Sequence, residues 1–420
     1  MPDKKNDLYN QILSIPNLEK AYLTLIKQFE EKVKISHYTG IDGCKIDDIA
    51  HKADQVISEI QLELKQKKTI SPALCHYIPK KDGSLRDIYI YTIKDRIKAQ
   101  AIYQIIEPIF ENNYSPFLFS YRSSHPSYYA GRSVARRYQR YCDQDYALIL
   151  DLTNYSNYID QEILIQKLQE IGLPKKIIEL LKLFIYNSVY KDDKLYQPKI
   201  GVVQGVPLIA LFANLYLNDL DKYLGKKVSL YRRVGDDIIL MDKSKEKLED
   251  LFRYTSKEVK KLKLKIKEEK SKLISTNQGF NFLGYNFNNK IISLEDSFIK
   301  KTVSHWRTIL LGYKPQNNYQ KIKHLKKILY QQEDNINNQF LQIISQKILV
   351  NNDQQVKQLS EKFMRIVTKY FFDSYSPRHQ RLFKEKLKKL KIPSLYKYYL
   401  DIHHGRKKLA NLFVSKKSRD

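Results

Sequence analysis

A chain of 420 residues, 42% of them hydrophobic, can bury a substantial core and divide into two or three domains. No run of about eighteen apolar residues occurs, and the opening MPDKKNDLYNQ has neither an apolar h-region nor an Arg-rich amphipathic pattern, so the expected setting is cytoplasmic, with no membrane partner. The 74 Lys and Arg against 46 Asp and Glu leave +28, a field suited to a polyanion rather than a small neutral ligand.

In chain order, residues 8–72 read as helices, with apolar spacing in LYNQILSIPNLEKAYLTLIKQF and again in IDDIAHKADQVISEIQLELKQ. CHYIPKKDGSLRDIYIY then alternates around Asp82-Gly83, the signature of a hairpin with a type I′ turn. TIKDRIKAQAIYQIIEPIFE returns to helical spacing, and YALILDL at 146–152 is a buried, β-rich run ending in an acid. Helices resume in QEILIQKLQEIGLPKKIIELLKLFIYN, strand and turn signals cover 190–203, and one helix is expected over about 207–223. LYRRVGDDIILM reads as two strands meeting at Gly235-Asp236. From about residue 300 the pattern is helix after helix, interrupted at Pro315, Pro377 and Pro393. Residues 301–420 carry 26 basic and 8 acidic side chains, hence +18, which leaves 28 − 18 = +10 for the rest. Cys44, Cys75 and Cys142 form no CxxC pair, so neither a zinc ribbon nor a disulfide framework is indicated.

Two adjacent carboxylates on a hairpin turn and a third at the end of a separate strand are what two-metal phosphoryl transfer requires, and Asp236, Asp237 and Asp151 supply them. A bare Asp-Asp pair is a weak signal, as Asp47-Asp48 and Asp192-Asp193 show. Apolar strand residues flank Asp236-Asp237, where an idle carboxylate would be costly.

From about residue 70 to 290 the chain resembles the reverse transcriptases of bacterial retroelements, especially those similar to group II intron and retron enzymes. Asp151 with LTNYSNYID resembles the first palm motif, GVVQGVPLIALFANLYLNDLD at 201–221 the second, and VGDD at 234–237 the third. KIKEEKSKLI is similar to the fourth and FNFLGYNF at 280–287 to the primer grip. Upstream, IPKKDGSLRDI, TIKDRIKAQAI and FSYRSSHPSYYA resemble the fingers and the approach to the palm. The resemblance implies an α+β right-hand polymerase: an N-terminal helical segment (1–70), fingers (71–145), a palm (146–292, with interleaved fingers helices at about 161–190) and a basic helical thumb and extension (293–420).

Carried over position by position, it implies that Asp151, Asp236, Asp237 and the Leu152 carbonyl hold two Mg²⁺ ions, with Mn²⁺ as the alternative. Lys80 and Arg86 would grip the triphosphate, Tyr155, Ser156 and Gln204 would border the nucleotide, and Lys270 would protonate the pyrophosphate leaving group. Phe282, Leu283, Gly284 and Tyr285 would position the primer end. Its partners would be RNA, DNA and dNTPs, together with a structured non-coding RNA and either a partner protein or a second copy of the chain.

Some positions depart from the family pattern. Ser156 stands where a second aromatic usually follows the first catalytic Asp, Val203 and Val206 flank Gln204-Gly205, Val234-Gly235 precedes the Asp pair, and Asp87 follows Arg86. The C-terminal region lacks the paired-cysteine and His-Asn signatures of an endonuclease domain, and HHGRKK at 403–408 reads as basic surface. Together these features resemble the stand-alone reverse transcriptases of antiphage defence, of the abortive-infection type. Three activities fit the sequence: DNA synthesis on RNA or of restricted or untemplated sequence, RNA polymerisation or terminal nucleotidyl transfer, and catalytically silent RNA binding.

Overall fold

The computed structural model describes residues 4–31, 39–79, 85–142, 144–331, 336–347, 349–373 and 394–403. The chain forms two compact units, residues 1–127 with 146–273 and residues 128–145 with 274–420. Among the described residues no helix is long and apolar enough to cross a membrane.

The first unit begins with helices α1 (Lys4–Leu13), α2 (Ile15–Glu31), α3 (Ile46–Ala50) and α4 (Ala53–Lys65). Leu18, Ala21 and Leu25 of α2 are buried in the packing of these helices on α5 (Ile93–Asn113), and the Asn17 amide donates to the Ile12 and Ala101 carbonyls at 3.0 and 3.1 Å. Thr92 caps α5 by accepting from the Asp95 N–H at 3.2 Å. Buried Lys98 bonds Asp95 at 2.8 Å and Glu63 of α4 at 2.7 Å, so its charge is met on two sides.

Strands β1 (Ala73–Pro79) and β2 (Leu85–Ile90) form the expected antiparallel pair, in register from Leu74↔Ile90 to Pro79↔Leu85; its Asp82-Gly83 tip lies outside the described residues. Helix α6 (Ser127–Tyr141) belongs almost wholly to the second unit. Next come β3 (Tyr146–Asp151), α7 (Gln161–Glu170) and α8 (Lys175–Ile185). Strands β4 (Val189–Lys191) and β5 (Lys194–Tyr196) complete a sheet of order β2-β1-β4-β5. The acid pair Asp192-Asp193 forms their two-residue turn, with φ of 50° and 59° as a type I′ turn demands.

The helix expected over 207–223 is two, α9 (Leu208–Tyr216) and α10 (Asn218–Lys227), broken at Leu217 with φ −104° and ψ 5°. Asn218 at the break accepts from the Ser115 N–H at 2.8 Å and donates to the Asn113 carbonyl at 2.9 Å, side-chain bonds that compete with a continuous helix. Strands β6 (Leu230–Val234) and β7 (Asp237–Asp242) follow, then α11 (Lys245–Lys261) and β8 (Lys272–Ser275), where the chain leaves the unit; the sheet order is β6-β7-β3-β8.

Beneath the β6–β7 turn lies a fully buried ion pair. Arg233 bonds both oxygens of Asp221 on α10 at 2.8 and 2.7 Å, and also reaches the Asn214 carbonyl at 3.1 Å and the Gly235 carbonyl at 3.2 Å. The Tyr231 hydroxyl donates to Asp221 at 2.7 Å. Burial pulls the Arg233 pKa down, but the Asp221 carboxylate outweighs it and holds the guanidinium charged.

In the second unit, β9 (Phe280–Phe282), β10 (Tyr285–Asn288) and β11 (Ile291–Leu294) form an antiparallel sheet of order β11-β10-β9. Helix α6 packs on it so closely that a Cβ at Gly131 would lie 2.8 Å from the Tyr285 ring. Helices α12 (Asp296–Leu311), α13 (Asn318–Lys326), α14 (Ile336–Gln346), α15 (Asp353–Phe372) and α16 (Leu395–His403) surround a second core. Trp306 is its centre, edge-on to Phe340 and Phe363 at 5.4 and 5.2 Å, with its indole N–H on Gln339 at 3.0 Å. Pro315 falls between α12 and α13 as expected, whereas Pro377, Pro393 and most of HHGRKK lie outside the described residues.

Asp221→Ala strands a buried guanidinium, so urea unfolding should show a loss of about 3–5 kcal/mol. Pairing Asp221→Leu with Arg233→Met should recover most of that loss; equal stability of the single and double variants would refute the ion-pair account.

Candidate active site

The end of the β6-β7-β3-β8 sheet gathers the carboxylates. The β3–β7 register runs from Tyr146↔Asp242 to Asp151↔Asp237, so Asp151 and Asp237 stand directly opposite each other on neighbouring strands. Val234↔Asp237 closes the β6–β7 hairpin with a two-residue loop, Gly235 at φ +66° and then Asp236. Gly in the first position suits a type II′ turn, which leaves Asp236 and Asp237 exposed. The Ser120 hydroxyl receives the Gly235 N–H, and the Leu152 N–H donates to the Asp236 carbonyl at 3.3 Å.

The segment 265–271 runs alongside. Lys267 N–H donates to the Asp151 carbonyl at 2.8 Å, Thr153 N–H to the Lys265 carbonyl at 2.9 Å, and the Asp151 N–H reaches the Ser271 hydroxyl at 3.4 Å. This brings the Lys270 ammonium to 3.1 Å from the Asp151 carboxylate. That hydrogen bond raises the Lys270 pKa; burial opposes it, and the charges of Asp151, Asp237 and Asp236 add to the rise. Among the described residues no three or more His, Cys, Asp or Glu side chains are grouped so as to hold a metal ion. Asp151, Asp236 and Asp237 nonetheless share one sheet end, and carboxylate oxygens are the donors that hard divalent cations take.

A second cluster lies just past β3. Asn154, at φ 43°, leads into a one-turn 3₁₀ segment, Tyr155–Tyr158. Tyr155 is buried with its hydroxyl on the Ala213 carbonyl, and burial pushes its pKa far up. Ser156 instead meets the exposed Gln204, whose amide donates to the Ser156 hydroxyl. The loop carrying Gln204 is strapped down: Gly201 N–H donates to the Ile159 carbonyl at 2.8 Å, Val202 N–H to the Ser156 carbonyl at 3.1 Å, and the buried Tyr91 hydroxyl to the Val203 carbonyl at 2.8 Å. Gly205, at φ +123°, passes so close to the Tyr89 carbonyl that no Cβ fits. Val203 and Val206, the departures from the family pattern, are buried and anchor the loop.

Arg86 is exposed on β2 opposite Ile78, while Lys80 lies outside the described residues. Phe282, Leu283, Gly284 and Tyr285 belong to the second unit, where Phe282↔Tyr285 closes the β9–β10 hairpin. Its two turn residues both have positive φ, Leu283 at 47° and Gly284 at 74°, and Leu283 is a poor residue for that conformation. The Lys347 ammonium holds the turn by donating to the Leu283 carbonyl and lying 4.1 Å from the Tyr285 ring centroid. Burial lowers the Lys347 pKa to about 8. Sequence reasoning missed Lys347 and the Arg233–Asp221 pair, because each joins segments that no local pattern connects.

Residues 78–287, half of the chain, match the family model described as Reverse transcriptase (RNA-dependent DNA polymerase). Protein YkfC of Escherichia coli (strain K12) is 24% identical over 297 residues, covering 60% of this chain and 76% of that protein. The Putative COX1/OXI3 intron 2 protein of Saccharomyces cerevisiae (strain ATCC 204508 / S288c) is 27% identical over 158 residues, 37% of this chain, which spans only 18% of that protein. Among solved structures, telomerase from Candida albicans in complex with a TWJ fragment of telomeric RNA overlaps 83% of this chain and 71% of its own at TM-score 0.45 and 12% identity. Apo telomerase from Candida tropicalis overlaps 81% and 64% at TM-score 0.48 and 13% identity. The α+β architecture and the matched segment together make this chain a member of the reverse transcriptase family, an RNA-directed DNA polymerase of the nucleotidyltransferase class.

Proposed function

We propose that the chain extends a primer 3′-end by two-metal nucleotidyl transfer at the Asp151–Asp236–Asp237 sheet end. The observation that carries this reading is the Asp151↔Asp237 register beside the Gly235-Asp236 turn, with Lys270 on Asp151. Asp151, Asp236, Asp237 and the Leu152 carbonyl are the ligands for Mg²⁺ or Mn²⁺. Bound there, such ions supply Lewis acidity to the attacking hydroxyl and offset charge on the leaving pyrophosphate. Lys270 keeps its proton until pyrophosphate departs, then transfers it to the leaving oxygen. Lys80 and Arg86 take the triphosphate, Arg86 as a bidentate fork. Ser156 and Gln204 form the sugar edge over Tyr155 as floor, and the Phe282–Tyr285 hairpin holds the primer.

The setting that best suits these features is a bacterial cytoplasmic enzyme of antiphage defence, working with a structured non-coding RNA as template or making a restricted or untemplated DNA. That placement draws on the motif departures at Ser156, Val203, Val206 and Val234-Gly235. A second reading, ribonucleotide incorporation, is favoured by one observation: the sugar edge presents a small hydroxyl, Ser156, rather than an aromatic.

Asp236→Ala combined with Asp237→Ala should abolish dNTP incorporation while leaving the melting temperature nearly unchanged, because both residues are exposed at a turn. Full incorporation by this variant would dispose of the metal assignment. Lys270→Ala should slow single-turnover incorporation by about 10²-fold. Since Asp151 raises the Lys270 pKa, the ammonium keeps its proton up through the ordinary lysine range, so the wild-type-to-variant rate ratio should be flat from about pH 7 to 9. A ratio that falls toward pH 9 would show that proton leaving early, contrary to the geometry. Ser156→Phe should displace the Gln204 amide and raise the preference for dNTP over NTP about tenfold; if neither the ratio nor total activity moves, Ser156 does not border the nucleotide.

A further inference from the structure

Helix α6, SYYAGRSVARRYQRY, contains four arginines and no acid. Ala130, Gly131, Val134, Ala135 and Tyr138 make its buried face. The opposite face presents Tyr129, 44% exposed, together with Arg136 and Arg140, both exposed, and half-buried Arg132. Arg132, Arg136 and Arg140 recur at every fourth residue, about 6 Å apart along the helix axis. Arg137 is neutralised by Asp145 at 2.9 Å, whereas among the described residues Arg132, Arg136 and Arg140 have no carboxylate within 4.0 Å. Like charges at this spacing repel.

Aromatic rings flank the row at both ends. Tyr128 and Tyr129 lie with centroids 4.5 Å apart, the Arg132 guanidinium covers both at 4.7 and 5.3 Å, and Arg137 and Arg140 flank Tyr141 at 4.9 and 5.9 Å. Arg132 also donates to the Ser345 carbonyl while its buried Nε has no partner. A regular file of cations with rings at its ends suits a flexible polyanion whose bases are free to stack. A paired duplex could use the cations but not the rings.

We propose that the solvent face of α6 binds single-stranded nucleic acid, with phosphates on Arg132, Arg136 and Arg140 and a base stacked on Tyr129. The identity of the strand, an unpaired tail of the template or of a bound RNA, rests on the polymerase reading; the binding itself does not.

The test uses the full chain and a primer–template duplex with or without an unpaired tail of about twelve nucleotides, within the usual single-strand site size. Separate RNA and DNA tails distinguish the two sources of the same chemistry. Fluorescence anisotropy across a salt series should show the tailed duplex binding about tenfold tighter than the blunt one. Arg136→Gln with Arg140→Gln should erase that advantage and flatten the log K against log salt slope by about 1.4, the share of two single-strand phosphates. Tyr129→Ala should lose about fivefold in the tail's contribution with the slope unchanged. Melting temperature and single-nucleotide incorporation on the same duplex carrying a one-nucleotide template overhang should stay at wild-type values in all variants. A tail advantage that persists in the double glutamine variant, or none in the wild type, overturns the proposal. Wild-type protein that fails to incorporate any nucleotide yet shows the Arg136- and Arg140-dependent tail effect would sink the polymerase reading and leave the strand-binding face standing.

Discussion

The end of the sheet that carries Asp151, Asp236 and Asp237 depends on one buried ion pair. Arg233 lies two residues before Gly235, is fully enclosed, and spends its donors on Asp221, Asn214 and the Gly235 carbonyl. A charge placed there without Asp221 would cost several kcal/mol, so the pair is worth more as a positional lock than as a source of net stability. It ties three pieces together: α10 through Asp221, α9 through Asn214, and the turn that projects Asp236 and Asp237. Neutral residues of similar shape could fill the space, but they would not hold the Gly235 carbonyl, and the turn would lose its directional anchor.

Beside that anchored turn the sheet end gathers three carboxylates. Asp151, Asp236 and Asp237 converge by strand register, and the Lys270 ammonium answers one of them. Asp236 and Asp237 are exposed, so solvent screens their mutual repulsion. The raised Lys270 pKa follows first from its hydrogen bond to Asp151, with the charges of Asp151, Asp237 and Asp236 adding to it against the opposing effect of burial.

The second unit solves a different problem with a similar device. The Leu283-Gly284 turn needs two left-handed residues, and only one is a glycine. Lys347 donates into the Leu283 carbonyl over the Tyr285 ring, and the Tyr285 hydroxyl reaches the Gln346 carbonyl at 2.9 Å. The strained turn is therefore fastened from the end of α14, and Gly131 lets α6 close on the same ring.

Local chemistry made much of this legible in the amino-acid sequence alone. Period-2 and helical spacing foretold β1 with β2, β3, the β6–β7 hairpin at Gly235-Asp236 and the C-terminal helices, because those signals depend on neighbours a few residues apart. The three carboxylates and Lys270 were legible through motif order. Tertiary structure decided what depends on distant partners. Leu217 breaks a helix that spacing alone continues, because Asn218 bonds to residues more than a hundred positions away. Tyr155 and Ser156 are adjacent in sequence but part company, the ring sinking toward Ala213 and the hydroxyl meeting Gln204. Arg233 and Lys347 are, in the sequence, two of 74 basic residues, and only folding, by removing water from around them, turned ordinary charges into the anchors of two turns.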